Sequence, residues 1–502
     1  MEQSLFKDIL KARVYDVAKR TPMEQAPTLS SIWGNSIFVK REDLQPIFSF
    51  KIRGAYNRMA AIPKEERAKG VICASAGNHG QGVALSARIL GMPAWVVMPT
   101  TTPDIKIKSV ARFGAEIVLA GDHYSQAYDH SLQLVEKLGA QMIHPFDDPL
   151  VIAGQGTVGK EILEDCPEVD YVFVPVGGGG LLAGLAIYIK SLNPAVKIYG
   201  VEPIDSDAMT RSIDEQKRVV LNQVGVFADG VAVRQVGENT FAVAQDYVDG
   251  FIKVSTDEIC SAIEDIYSET RTIVEPAGAL SWAGAKAFLR QNPTQGRNIV
   301  TINSGANMNF QRLQFVAERA MTGAGRECLL AIRLLERPGA LKEFCTSILA
   351  GKAITEFNYR TNGTPEAYIF LGLSVHGIED QERLLGKLSD QGYHVEDLTE
   401  NELAKEHVRH MVGGRAPLAI EEELYSFVFP ERPRALADFL AVISDRWNIS
   451  LFHYRSHGAD YGRVLIAFEV RRDERLEFEQ HLQRISYPFK RETENPAYRL
   501  LL

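Results

Sequence analysis

A chain of 502 residues is too long for one hydrophobic core and implies roughly two to four domains. Its 45% hydrophobic and 24% charged content are those of an ordinary globular protein, and a formal net charge of −9 argues against a nucleic-acid surface. No apolar run reaches membrane-spanning length, and Cys73, Cys166, Cys260, Cys328 and Cys345, odd in number and without C-x-x-C spacing, offer neither a zinc cage nor a disulfide framework.

The N-terminus, "MEQSLFKDILKARVYDVAKR", reads as an amphipathic helix containing acids, unlike a signal or transit peptide. Further on, "FSFKIRGAYNRM" (48–59) opens another helix, with Ser49 as its expected N-cap. Lys51 and Arg53 then fall in its first turn, where the helix dipole disfavours cations. The reading that explains Lys51 is an amine kept neutral by apolar neighbours, while Arg53 finds no explanation beyond neutralising nearby acids.

Short apolar runs follow, each compatible with a strand covered on both faces. They are "GVICAS" (70–75), "PAWVVMP" (93–99), "AEIVLA" (115–120), "YVFVPV" (171–176), "KIYGVE" (197–202) and "NIVTINS" (298–304). Helical segments alternate with them, which predicts open parallel α/β sheets with ligands beyond the carboxyl ends of the strands.

Three strand-to-helix loops carry chemistry. "SAGNHG" (75–80) supplies backbone amides for a carboxylate and Asn78 as a directional donor, with His79 either packed or reactive. "VGGGGL" (176–181) puts four glycines before a helix, a cradle strongest for phosphate. Gly178, Gly180 and Ala183 also fit a dinucleotide fingerprint, with Glu202 as its acid, so an NAD-dependent oxidoreductase stays open. "GQGTVGKE" (154–161) imitates a nucleotide loop but has Glu161 where Mg²⁺ needs a hydroxyl. Finally, "NSGAN" (303–307) places Ser304 at a strand end, as a helix cap or as a ligand contact. No metal site is expected, since no histidine pair has the H-E-x-x-H spacing.

After about residue 325 the texture changes and a repeat appears. "LLERPGALKEF" (334–344) is echoed by "VFPERPRALADF" (428–439), and Glu336 to Glu431 and Tyr359 to Tyr454 are both separated by 95 residues. Each copy reads strand, helix, strand, strand, helix, strand, the ferredoxin-like order. A polar connector helix, "ENELAKEHVRHMVGGRAP" (400–417), is expected between them.

The motifs "SFKIRGA", "SAGNHGQG", "GGGGL" and "NSGAN", in this order, resemble those of the tryptophan-synthase-β-like (fold type II) pyridoxal-phosphate enzymes. With the doubled C-terminal module, nearly the whole chain resembles the biosynthetic threonine deaminases, whose catabolic relatives lack that module. The resemblance implies pyridoxal 5'-phosphate as cofactor, Lys51 as the Schiff-base lysine, Asn78 on the ring hydroxyl, Gly177, Gly178, Gly179, Gly180 and Leu181 on the phosphate, and Ser304 on the ring nitrogen. Ser75, Ala76 and Gly77 would take the substrate carboxylate. A hydroxyl at Ser304, unlike a carboxylate, leaves that ring nitrogen largely unprotonated and favours prompt loss of a β-substituent over transamination.

The resemblance further implies conversion of threonine to 2-oxobutanoate and ammonia, with serine secondary, in a homotetramer, while the five cysteines without C-x-x-C spacing suit a reducing, cytoplasmic setting. It also implies two ACT-like subdomains through which isoleucine inhibits and valine opposes it, Tyr359 and Tyr454 being candidate effector contacts. Gly339 of the first copy is matched by Arg434 in the second, so unequal ligand binding is expected. The implied organisation is a catalytic domain over 1–322 with a small lobe inserted at about 45–155, subdomains at 327–400 and 422–495, and a connector at 401–421. Serine racemase, another β-eliminating enzyme of the same fold, or an amino-acid sensor remain the alternatives.

Overall fold

The computed structural model describes residues 2–121, 124–225, 227–349, 351–360, 365–406, 408–411, 421–430, 435–443, 446–455, 461–485 and 487–495. It divides into two compact units, Met1–Ala320 and Met321–Leu502.

In chain order the first unit contains strands β1 (Met23–Gln25), β2 (Ser36–Lys40), β3 (Val71–Ala74), β4 (Ala94–Met98), β5 (Glu116–Leu119), β6 (Gln141–Met142), β7 (Tyr171–Pro175), β8 (Lys197–Pro203), β9 (Gly250–Val254) and β10 (Asn298–Ile302). They form two sheets. The larger has the order β1-β2-β10-β7-β8-β9 and is parallel except for β1, which runs antiparallel to β2. The smaller, β5-β4-β3-β6, is wholly parallel. All six apolar runs are strands, and β7 shows why they do not alternate. Val172 and Val174 face a cluster shared with helices Pro149–Asp165 and Gly180–Leu192, while Phe173 faces one shared with Thr256–Thr270 and Pro276–Gln291.

The segment that imitates a nucleotide loop is instead a packing stripe in the middle of helix Pro149–Asp165. A Cβ on Gly54 would meet the Val151 carbonyl oxygen at 2.7 Å, and one on Gly156 would meet that of Gly184 at 2.9 Å. Bare backbones therefore let this helix lie directly against Lys51–Ala60 and Gly180–Leu192. Those two helices begin with the lysine and with the last glycine of the cradle, so the stripe sets the distance between them.

The second unit contains β11 (Glu327–Leu335), β12 (Ile354–Arg360), β13 (Glu366–Ser374), β14 (Val395–Asp397), β15 (Glu422–Pro430), β16 (Asn448–Arg455), β17 (Tyr461–Glu469) and β18 (Phe489–Arg491). Each copy has the ferredoxin-like order, with helices Ala340–Ser347 and Ile378–Asp390 in the first, and Ala435–Ile443 and Arg475–Leu482 in the second. The copies share one antiparallel sheet, β14-β11-β13-β12-β16-β17-β15-β18. They join at β12 and β16, where Phe357 pairs with Tyr454 and Tyr359 with Phe452.

Within the expected connector helix, the described residues form a helix over Glu402–Glu406 and a 3₁₀ turn over Val408–His410, and residues 407 and 412–417, with Gly413 and Gly414 among them, lie outside the described residues. Arg409 anchors it, its Nε donating to Glu356 of β12 at 2.9 Å.

Candidate active site

Helix Lys51–Ala60 starts at the lysine itself, with Phe50 in the cap position. Ser49 is thus one residue too early to be the N-cap, although its Oγ accepts the Lys51 amide at 3.4 Å. The approach to the lysine is pinned from outside. Phe48 sits at φ 56°, a left-handed conformation that a bulky residue adopts only when held. Its amide donates to the Gln45 carbonyl at 2.8 Å and its carbonyl accepts from Ala306 at 2.9 Å. Next, Ser49 bridges Gly305, and the Phe50 amide donates to the Ser304 carbonyl at 3.2 Å. The lysine loop and the strand-end serine are therefore one hydrogen-bonded unit.

Lys51 Nζ donates to the Pro145 carbonyl at 2.9 Å and lies 5.4 Å from the Phe50 ring centre. Burial lowers its pKa to about 8, against the opposing pull of the Glu275 carboxylate. Arg53 is explained as well. Fully buried, it holds Glu42 (Nε at 2.8 Å, a terminal nitrogen at 2.7 Å) and Glu161 (2.7 and 3.1 Å). Lys40 completes the set at 2.8 Å from Glu161, so two buried cations balance two buried carboxylates.

The glycine cradle joins β7 to helix Gly180–Leu192, whose first amides have no carbonyl behind them. Side chains are excluded there. A Cβ on Gly177 would meet Val231 Cα at 2.9 Å, one on Gly178 would enter the Phe146 ring at 2.2 Å, and Gly179 stands at φ +91°. In the "SAGNHG" loop, Ser75 Oγ accepts from the amides of Gly77 (3.2 Å) and Gly80 (3.1 Å), which leaves its own hydrogen to donate. Asn78 Nδ2 donates to Glu275 Oε1 at 2.5 Å, and Asn78 Oδ1 accepts from Asn307 Nδ2 at 2.7 Å. His79 is a packed residue, donating from Nε2 to the Ile143 carbonyl at 2.9 Å, and burial pushes its pKa down to about 3. Ser304 is buried, with Oγ donating to the Ala277 carbonyl at 3.3 Å.

Glu202 does not face the glycine loop. Its carboxylate accepts the amides of Met209 (2.9 Å) and Thr210 (2.8 Å) at the start of helix Ala208–Asp214, and Asp207 pairs with Arg211 at 2.7 Å. Among the described residues, no three His, Cys, Asp or Glu side chains gather as a metal site would require.

Two parts of the site escaped sequence reading. Glu275, buried between Asn78 and Gly305, has its pKa raised to about 7 by burial and by the Asp229 charge. The segment His144–Asp148 gives Lys51 its carbonyl and Gly178 its ring contact, while Asp147 caps helix Glu238–Tyr247 through the amides of Glu238 and Asn239 at 2.8 and 3.0 Å. The only sequence signals were a carboxylate ahead of Pro276 and a Pro-Phe-Asp-Asp turn.

Residues 14–305 match the family described as pyridoxal-phosphate dependent enzyme. The chain belongs to that family. Residues 318–408 and 414–502 match the C-terminal regulatory domain of threonine dehydratase. A biosynthetic L-threonine dehydratase of Burkholderia multivorans is 48% identical over 500 residues, covering 99% of this chain and 98% of the relative. A biosynthetic chloroplastic threonine dehydratase of Solanum lycopersicum is 49% identical, covering 99% of this chain and 82% of its own. Among solved structures, processed threonine deaminase isoform 2 of Solanum lycopersicum aligns at TM-score 0.63 and 50% identity, over 64% of this chain and 88% of that one. Maize serine racemase aligns at 0.59 and 33%, over 62% and 96%.

The pyridoxal-phosphate family assignment agrees with the residues present. An anion seat closed to any side chain, an amine poised to lose its proton near pH 8, and a buried neutral hydroxyl at Ser304 suit this cofactor's phosphate, aldehyde and ring nitrogen. The family that residues 14–305 match is a pyridoxal-phosphate one and not a nicotinamide-dinucleotide one.

Proposed function

We propose that this chain deaminates L-threonine to 2-oxobutanoate and ammonia, the committed step toward isoleucine, with serine as a secondary substrate. The carrying observation is the lysine at the head of its helix, its pKa lowered to about 8 by burial, in a chain matched along its full length by biosynthetic threonine dehydratases. The roles we assign are Lys51 for covalent attachment, Gly177 to Leu181 for the phosphate, Asn78 for the ring hydroxyl, Ser304 for the ring nitrogen and Ser75 to Gly77 for the substrate carboxylate.

When bound, the cofactor would supply an electron sink for the bond broken at the substrate Cα. The chain's own residues do the rest. Lys51, neutral above about pH 8, takes the Cα proton as general base. The Pro145 carbonyl orients that amine through its 2.9 Å hydrogen bond. Ser75, its oxygen already occupied by two amides, turns its hydrogen to the carboxylate. Ser304, a neutral hydroxyl, would hold the ring nitrogen without the charge that protonates it, which would favour loss of the β-hydroxyl.

The organisation proposed is catalytic over 1–322, with the small lobe at about 45–155, and sensory over 327–400 and 422–495 about a connector at 401–421, in a cytoplasmic homotetramer. Isoleucine inhibits and valine relieves. A groove in the second unit lined by Gly339, Tyr359, Leu440, Ile443, Trp447 and Ile449 supports that reading. Tyr359 lines it and donates to Glu336, whereas Tyr454 is buried in the core, and Arg434 lies outside the described residues. The deciding experiment measures keto acid from threonine and serine with and without isoleucine and valine. A protein without a borohydride-sensitive visible band, or a Lys51→Ala variant with full turnover, overturns the proposal.

A further inference from the structure

Glu275 is a buried carboxylate held against Asn78 and Gly305, and no step above uses it. It stands at the cap position of helix Pro276–Gln291 but does not cap it. Its amide donates to the Gly305 carbonyl at 3.1 Å, and a Cβ on Gly305 would meet its Oε1 at 2.3 Å, so only glycine there lets the carboxylate come so close. Oε1 lies 2.5 Å from Asn78 Nδ2. On the far side of that amide, Asn307 Nδ2 donates to Asn78 Oδ1 at 2.7 Å and to the Ile47 carbonyl at 2.8 Å.

An asparagine amide has chemically opposite ends, two hydrogens on nitrogen and lone pairs on oxygen. A carboxylate on one side and an NH₂ on the other accept only one of its two orientations. We propose that Glu275 is a positioning residue, locking Asn78, with Asn307, so that an N–H and not the carbonyl oxygen is left for the cofactor, and setting the charge opposite Lys51. This rests on the assignment of Asn78 to the cofactor. The charged groups acting on Glu275 are Asp229 from the 3₁₀ turn Asp229–Val231 and Lys106 from helix Asp104–Ala111, while Glu275 in turn acts on Lys51. Lys106 and Asp229 are themselves an ion pair, so Glu275 is close to one balanced pair and to the Lys51 amine, which also acts on the imidazoles of His79 and His144.

Full-length chains stripped of cofactor are titrated with pyridoxal phosphate as Glu275→Gln, Glu275→Ala, Asn78→Ala and the double Ala variant. Glu275→Ala is expected to weaken affinity about tenfold, as loss of a charged hydrogen bond does. The double variant should bind no worse than Asn78→Ala alone. Glu275→Gln keeps the shape and an acceptor, so it should bind nearly as the parent. It should nonetheless lower the Lys51 pKa below about 8, read by competitive labelling of the lysine peptide, because it removes the charge that favours the ammonium. A role in folding alone would leave that titration unmoved. Additive losses in the double variant, or a Lys51 titration unchanged in Glu275→Gln, overturn the proposal. Unchanged affinity in Asn78→Ala overturns the assignment beneath it, and the proposal with it.

Discussion

Replacing Arg53 by methionine keeps much of the side chain's volume and removes the charge that Glu42 and Glu161 share. In the parent, Arg53 makes four hydrogen bonds to these carboxylates, between 2.7 and 3.1 Å, and two more to Thr157 Oγ1 (3.1 Å) and the Lys19 carbonyl (3.2 Å). Lys40 remains at 2.8 Å from Glu161, so one carboxylate of the pair is left buried without a counter-charge. Breaking a buried pair in this way costs about 3–5 kcal/mol. That is a large share of the roughly 5–15 kcal/mol that keeps a domain folded.

The assay is urea unfolding followed by fluorescence in a Trp447→Phe background, where Trp33, Trp95 and Trp282 all report on the first unit. The pH dependence has a definite sign. Burial works against the Glu161 charge, but Arg53 and Lys40 overcome it and lower the pKa, so this stabilisation is present above the unfolded value and lost as pH falls. In the variant the Arg53 charge no longer opposes burial, leaving Lys40 and the hydrogen bonds from Tyr15 and Thr21, so the Glu161 pKa rises and the parent's advantage should shrink below about pH 5. A combined Arg53→Met and Glu42→Gln chain should recover much of the loss. A cost under about 1 kcal/mol, the range of exposed pairs, would refute the reasoning.

Gly178→Ala drives a methyl group into the Phe146 ring and should cost about 1–3 kcal/mol. Thermal unfolding with and without pyridoxal phosphate checks it, and adding Phe146→Ala should restore most of the loss. Attachment of pyridoxal phosphate to Lys51 in the cofactor-free chain, timed by absorbance, should accelerate with pH and level off near 8, because only the neutral amine attacks. A rate still climbing at pH 10 would mean an ordinary lysine. Tyr359→Phe removes the hydroxyl held by Glu336 in the groove, and the isoleucine concentration for half-inhibition should rise by roughly five- to tenfold. Tyr454→Phe, in the core, should shift it less.

Much of this was legible in the sequence because the physics was local. Strands covered on both faces read as unbroken apolar runs, and four consecutive glycines before a helix have few other uses. Four strands escaped: β1 and β6 are very short, β2 ends in the buried Lys40, and β9 carries a lysine of its own. Arg53 could not be read because its partners stand 11 positions before it and 108 after it. Glu275 was hidden for the same reason, since its meaning depends on Asn78, 197 positions away. Ser49 misled because a serine before a helix is so often its cap, and here the turn pinned by Phe48 moved the start to Lys51.

The seam between β12 and β16 has a consequence for how the doubled module keeps from associating edge to edge. Alone, either copy would expose a long strand with unpaired amides and carbonyls along its rim, the kind of border that recruits other chains. Joined, each half seals the other's rim, and the outermost strands of the shared sheet, β14 and β18, are only three residues long. Pairing the two copies thus leaves the doubled module with borders too brief to template another chain.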